Sequence, residues 1–237
     1  TPPAWSDLLT VRKSWWSFQP IASPSVPAGK AASPIDRFLD AKLAAAGIAP
    51  SPPADKATLL RRTTYALTGL PPTPDELAAF AADGSPEAFA KVVDRLLASP
   101  RFGEHFARRW MDLVRYADTH GSEGDPAIPQ AWRYRDYLIR AFNTDVPYDQ
   151  FVREHLAGDL LKNPRLNPTE GLNESMLGTG HFRMVEHGYQ PVDTVDEQVR
   201  NVDNQVDVVS KAFLGQTVSC ARCHDHKFDA ISQADFT

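Results

Sequence analysis

Cysteine, methionine and long apolar stretches are all scarce in this sequence. Its 237 residues include only two cysteines and three methionines. Two cysteines can close at most one disulfide, so a scaffold held together by several disulfides is excluded. No apolar run approaches the roughly 20 residues that a membrane-spanning helix needs, so we expect no membrane span.

A strong charge of either sign is also missing. The chain has 25 basic and 30 acidic residues, which give a formal net charge of -5. A weakly acidic chain is poorly suited to neutralising many phosphates at once. Nucleic acid is therefore not expected as a partner.

Proline, in contrast, is abundant. The chain has 20 prolines, and most of them lie in the first hundred residues. Residues 1–33 combine several of them with the aromatic residues Trp15, Trp16 and Phe18. This composition predicts an extended, proline-rich N-terminal arm that its aromatic side chains anchor to the following domain.

From residue 34 to residue 237 the signals are helical. Capping residues, prolines at first helical positions and glycines at helix ends bound a series of amphipathic segments. Helices are predicted to open at Ser33, Asp55, Thr73 and Ser85, and to cover residues 102–116, 132–142 and 148–161. No hairpin signal separates alternating apolar runs. The predicted fold is all-α, with an irregular multi-helix domain over 34–237.

The clearest helical period lies just before the cysteines. Apolar residues recur there at spacings of 4, 3, 4, 3 and 4, namely Val195, Val199, Val202, Val206, Val209 and Phe213. Residues at these spacings share one face of a helix. We therefore predict a main core helix that ends at Gly215.

Both cysteines belong to one short motif, Cys220-Ala221-Arg222-Cys223-His224. The pattern C-x-x-C-H is the attachment signature of c-type haem. On one helical turn the two thiols share a face, and each can add to one vinyl group of haem. His224 can then ligate the iron from the same turn. The motif predicts covalent haem c held by Cys220, Cys223 and His224.

Other interpretations of the motif stay open. Cys220 and Cys223 could form a local disulfide or remain thiols, or the motif could hold another metal. A structural zinc site usually takes four N or S ligands, often from two separated pairs, and a second cysteine pair is absent here. A thioredoxin-like pair follows a strand of a βαβ unit, which is not predicted. Under these interpretations the domain is a non-redox module that binds carbohydrate or a partner.

The sequence around the motif and far upstream of it resembles the planctomycete cytochrome-c-like domain family. The similarity includes "FLGQTVSCARCHDHKFDAIS", "WWSFQPI", "LLASPRFGEHFARRWMDLVRYADTHG" and "AWRYRDYLIRAFNTDVPYDQFVREHLAGDLL". It covers nearly the whole chain from Trp15. The resemblance defines no catalytic residues, so it does not predict whether the protein is an enzyme.

The resemblance implies a haem-binding electron-transfer module within a larger extracytoplasmic protein, linked to polysaccharide degradation. Its expected partners are a redox partner or a C-terminal domain of the same polypeptide, with carbohydrate as a further candidate. Because such proteins continue past the motif, we expect the domain to be truncated at its C-terminal end. Haem attachment to C-x-x-C-H occurs outside the cytoplasmic membrane in bacteria, so a periplasmic or secreted location is expected.

The sixth coordination position of the iron has four candidate ligands, which are His120, His187, Met184 and His181. An open or water-bound position is the alternative. Two protein ligands favour electron transfer, whereas an open position allows small molecules to bind. His226 lies only two residues from His224, so its ring is not expected to reach the opposite face of the haem.

Overall fold

A computed structural model describes residues 4–121, 124–186 and 193–236. Over these residues the chain forms ten α-helices and two isolated β-bridges. The predicted all-α fold is therefore confirmed. The helices are α1 (Trp5–Lys13), α2 (Pro34–Ala45), α3 (Lys56–Thr68), α4 (Pro74–Ala82), α5 (Ala88–Leu97), α6 (Pro100–Leu113), α7 (Trp132–Asn143), α8 (Tyr148–Ala157), α9 (Glu174–Gly178) and α10 (Thr194–Val209). Within the described ranges, no helix has the length and apolar character needed to cross a bilayer.

The chain divides into two compact units, Thr1–Leu59 and Leu60–Thr237. In the first unit, the prediction of an extended arm is wrong for residues 5–13, which form α1. Asp7 in the first turn of α1 and Arg12 in its last turn both complement the helix dipole. Residues 20–29 lack regular secondary structure, and α2 then begins at Pro34 as predicted.

The core of the second unit forms where α6 packs against α7. Gly103 allows the close approach, because a Cβ atom at this position would lie 2.4 Å from the carbonyl oxygen of Ile139. The backbone N–H of Gly103 donates to the side-chain oxygen of Asn143 at 2.8 Å. Tyr134, Tyr137, Leu138 and Ala141 of α7 are buried in this core with Ala107, Val114, Phe151, Met184 and Val208.

Helix α9 packs onto α7 and α8. Helices α8 and α9 both carry buried polar residues, namely Glu154, His155, Glu174 and Ser175. A short 3-10 turn, Gly158–Leu160, follows α8 directly. A Cβ atom on Gly158 would lie 1.8 Å from the carbonyl oxygen of Ser175 in α9. The contact between the two helices therefore depends on glycine at this position.

Helix α10 covers most of the segment with the clear apolar period, but its apolar face is not a core face. Val195, Val199 and Val202 are 66%, 46% and 56% exposed, whereas Val208, outside the predicted face, is 5% exposed. The prediction that the whole periodic face of this helix is buried is therefore wrong. Spacing determines which side chains share a face, but it does not determine what covers that face.

The end of this helical segment was predicted correctly. After α10 the chain makes one π turn over Ser210–Leu214. The helical conformation ends at Gly215, which has a left-handed φ of 63°. Phe213 of this turn lies against Trp110 of the core, with 5.5 Å between the ring centres. The C-terminal end of the predicted face thus packs inside the unit.

Candidate functional site

The C-x-x-C-H motif lies on a short 3-10 turn, Val218–Arg222, which ends at Cys223. We name residues 218–224 the cysteine turn. In a 3-10 turn, residues three apart lie nearly above one another, which suits Cys220 and Cys223. Both cysteines are free thiols and both are exposed, while Ala221 between them is fully buried. The turn therefore presents its two sulfur atoms to the outside and packs on the protein through Ala221.

Two polar contacts hold the cysteine turn against α10. The Ser219 hydroxyl donates to the Asp207 carboxylate, and Arg222 pairs with Asp203 at 2.8 Å. Burial alone would raise the pKa of Asp207, but hydrogen bonds from Lys211 and Ser219 lower it below its usual value. The carboxylate that accepts from Ser219 therefore stays charged at neutral pH. Both anchors lie within or beside the motif, so α10 fixes the position of the cysteines.

His224 has the tautomer that a metal-ligating histidine needs. Its Nδ1 lies 2.7 Å from the carbonyl oxygen of Asp225. A carbonyl oxygen only accepts, so Nδ1 carries the proton and the lone pair lies on Nε2. Ligating histidines commonly donate their second ring N–H to a backbone carbonyl, which orients the ring. His224 is exposed and follows Cys223 directly in the chain.

His226 has a different role, which the sequence did not reveal. Its Nδ1 accepts from the backbone N–H groups of Phe228 and Asp229 at 3.1 and 2.7 Å, so its proton lies on Nε2. Nε2 donates to the Thr217 hydroxyl at 2.9 Å, and the backbone N–H donates to the Ile231 carbonyl at 2.9 Å. His226 therefore connects the chain before the cysteine turn to the chain after it.

Two of the predicted sixth ligands are buried in the core of the second unit. Met184 belongs to the apolar core. His181 is fully buried, and its Nε2 lies 3.2 Å from the carbonyl oxygen of His155. Burial lowers the pKa of His181 to about 4, so its ring is neutral. Either side chain would have to leave its present packing to reach an iron at His224.

The other two candidates have different outcomes. His120 donates from Nδ1 to the carbonyl oxygen of Val185 at 3.0 Å. It lines a cavity of about 240 Å³ together with Asn201 and Gln205 of α10. An α-helix turns by about 100° per residue, so Asn201 and Gln205 lie on the side of α10 roughly opposite Asp203. Asp203 is the residue that pairs with the cysteine turn. His187 lies outside the residues that the structure describes.

Among the described residues of the second unit, Glu154 is the most buried charged group, with no exposed surface, and the sequence did not indicate it. Arg165 donates to both of its carboxylate oxygens at 3.1 and 2.9 Å. Tyr137, Ser175 and Gln150 donate to the same carboxylate at 2.8, 3.0 and 3.2 Å. Burial raises the pKa of Glu154, but these hydrogen bonds, led by that of Arg165, lower it overall. The satisfied carboxylate joins three segments of chain and is a structural group.

The neighbouring His155 is also structural. Its Nδ1 donates to the Phe151 carbonyl at 2.8 Å, and its Nε2 accepts from Trp110 and Tyr134 at 3.0 and 2.9 Å. Burial lowers its pKa to about 3. The ring is therefore neutral, and its hydrogen bonds tie α8 to α6 and α7.

Fold and site together define an all-α domain that presents two thiols and one imidazole on an exposed turn. Residues 34–237 match the PSCyt2 family model, which is described as a protein of unknown function, DUF1549. The chain belongs to this family. No curated protein and no solved structure matches the chain.

Proposed function

We propose that this domain binds one covalent haem c and acts as an electron-transfer module of a larger extracytoplasmic protein. The observation that carries the proposal is the chemistry of the cysteine turn: two exposed free thiols three residues apart, followed by His224 with its Nε2 lone pair available. These donors fit the group that C-x-x-C-H motifs hold.

Each residue of the motif would make a different bond to haem. Cys220 and Cys223 would hold it through two thioethers, each formed by adding S–H across one vinyl group, so no oxidant would be consumed. His224 would ligate the iron through Nε2, and the Asp225 carbonyl keeps its ring in that tautomer. The bound iron would supply one-electron oxidation and reduction. The contacts from Asp203 and Asp207 hold the turn against α10.

The test is to produce the protein in a bacterial periplasm that matures c-type cytochromes, with a known cytochrome as a parallel control. We expect a covalent mass increase of one haem and a Soret band. Cys220→Ala should leave one thioether, and Cys220→Ala with Cys223→Ala should leave none. His224→Ala should retain covalent haem with a changed spin state, because the iron loses its proximal nitrogen.

A wild-type protein without haem mass, under conditions that mature the control cytochrome, would overturn the proposal. A Cys220–Cys223 disulfide in that protein would then favour the non-redox module. The link to polysaccharide degradation and the periplasmic or secreted location are parts of the same proposal. Their support is the resemblance of the sequence and the chemistry of haem attachment.

A further inference from the structure

An exposed apolar strip lies on α10, next to the cysteine turn. We name Val195, Val199 and Val202 the valine face. Their exposed fractions of 66%, 46% and 56% show that the described part of the chain leaves these side chains largely open to solvent. Single exposed apolar residues are ordinary, but a contiguous apolar strip marks a surface that something covers.

The valine face continues directly from the surface that holds the cysteine turn. Asp203, which pairs with Arg222 between the two cysteines, lies one helical turn after Val199. Farther along the same face, Val206 and Val209 are half-buried. The exposed valines therefore lie on the N-terminal side of Asp203 and Asp207, the two residues of α10 that anchor the cysteine turn.

We infer that the valine face is the apolar wall against which the macrocycle of the attached haem lies. The inference rests on the proposed function, because it requires haem at Cys220 and Cys223. A haem held only by two thioethers and one histidine on an exposed turn would leave its flat apolar surface in water. An adjacent apolar helix face removes part of that surface from water and lowers the polarity around the iron.

A helix from a second copy of this chain is the other occupant that the valine spacing suits, because spacings of 4 and 3 are those of a helix-packing seam. The small size of the strip disfavours it. Three valines cover about two helical turns, whereas a stable protein–protein interface usually buries about 1,200–2,000 Å² in total. The position beside the cysteine turn favours haem.

The experiment compares haem-loaded wild type with a Val199→Ser, Val202→Ser double variant and with Val195→Ser. Val11→Ser is the matched control for the loss of an exposed valine, because Val11 is 61% exposed on α1. The apo forms should share one thermal midpoint, since all four valines are exposed. In the haem-loaded forms, the reduction potential of the double variant should shift to more negative values, with a smaller shift for Val195→Ser and none for Val11→Ser. Water admitted to the haem stabilises the more highly charged ferric state.

The outcomes separate this inference from the proposed function. A wild type without covalent haem overturns both. A haem-loaded wild type whose potential is unchanged in the double variant overturns the inference alone. Analytical ultracentrifugation measures the oligomeric state. If the wild type is a dimer and the double variant is a monomer, the valine face packs against a second copy, and the inferred haem wall is overturned.

Discussion

At the scale of single residues, the two histidines of the motif region have opposite environments. His224 is exposed and keeps Nε2 as an acceptor, whereas His226 is 5% exposed and uses both ring nitrogens within the fold. Sequence distance also separated the two residues: it predicts that only His224 ligates iron, which stays a prediction. It could not show that His226 closes the surrounding loop, since its partners other than the Thr217 hydroxyl are backbone groups, which every residue has.

This difference gives a test of stability that does not require haem. His226→Ala removes one acceptor of two backbone N–H groups and one donor to Thr217, and it leaves a small cavity. We expect it to lower the free energy of unfolding by about 2–3 kcal/mol. His224→Ala is the control and should change stability by less than about 0.5 kcal/mol, because its ring is exposed. Urea denaturation of the apo proteins measures both, and equal stabilities would contradict the role of His226.

Residues of the buried polar core were predictable only in part. The position of His155 within an amphipathic segment is typical of a packed histidine. The pairing of Glu154 with Arg165 was not predictable, because it depends on how α8 and the following loop fold back on each other. Its supporting contact, Ser175, comes from α9, a helix of five residues that is too short to show a period.

At the scale of helices, α10 shows what a periodic pattern can and cannot establish. The existence of this helical segment and its end at Gly215, after the π turn, followed from spacing and from the left-handed preference of glycine. Its orientation did not, because Val208 and the acidic Glu197 are the buried residues of this helix. Likewise α1 was missed, because proline-rich surroundings suggested an extended chain and its apolar residues form no clear face.

The orientation of α10 can be tested with two valines from different faces. Val208→Ala removes two methyl groups from a closely packed site, and we expect a loss of about 1–3 kcal/mol in the free energy of unfolding. Val202→Ala, on the exposed valine face, should change it by less than about 0.5 kcal/mol. Chemical denaturation of both variants measures the two changes in the free energy of unfolding. If Val202→Ala were the more damaging change, the sequence-based orientation of the helix would be correct and the structure wrong.

At the scale of the whole second unit, neutral histidines are built into the core beside a charged carboxylate. His155 and His181 are both fully buried, and burial lowers their pKa values to about 3 and about 4. Their neutral rings donate to and accept from groups on α6, α7 and α8. Protonation of either ring would place a charge among core aromatic residues, so the packing of this unit is coupled to pH.

The sign of that coupling follows from the two states. In the unfolded chain both histidines titrate near 6.5, but in the folded chain they stay neutral down to about pH 4 or below. Between these limits the unfolded state binds more protons, so stability rises with pH and falls on acidification. From pH 7 to pH 5 each histidine should contribute a loss of ~2 kcal/mol, before most carboxylates begin to titrate. Urea midpoints at pH 7, 6 and 5 measure the slope, and His224→Asn should retain it because His224 is exposed. A stability that stays flat or rises on acidification would show that these two rings are not held neutral in the core.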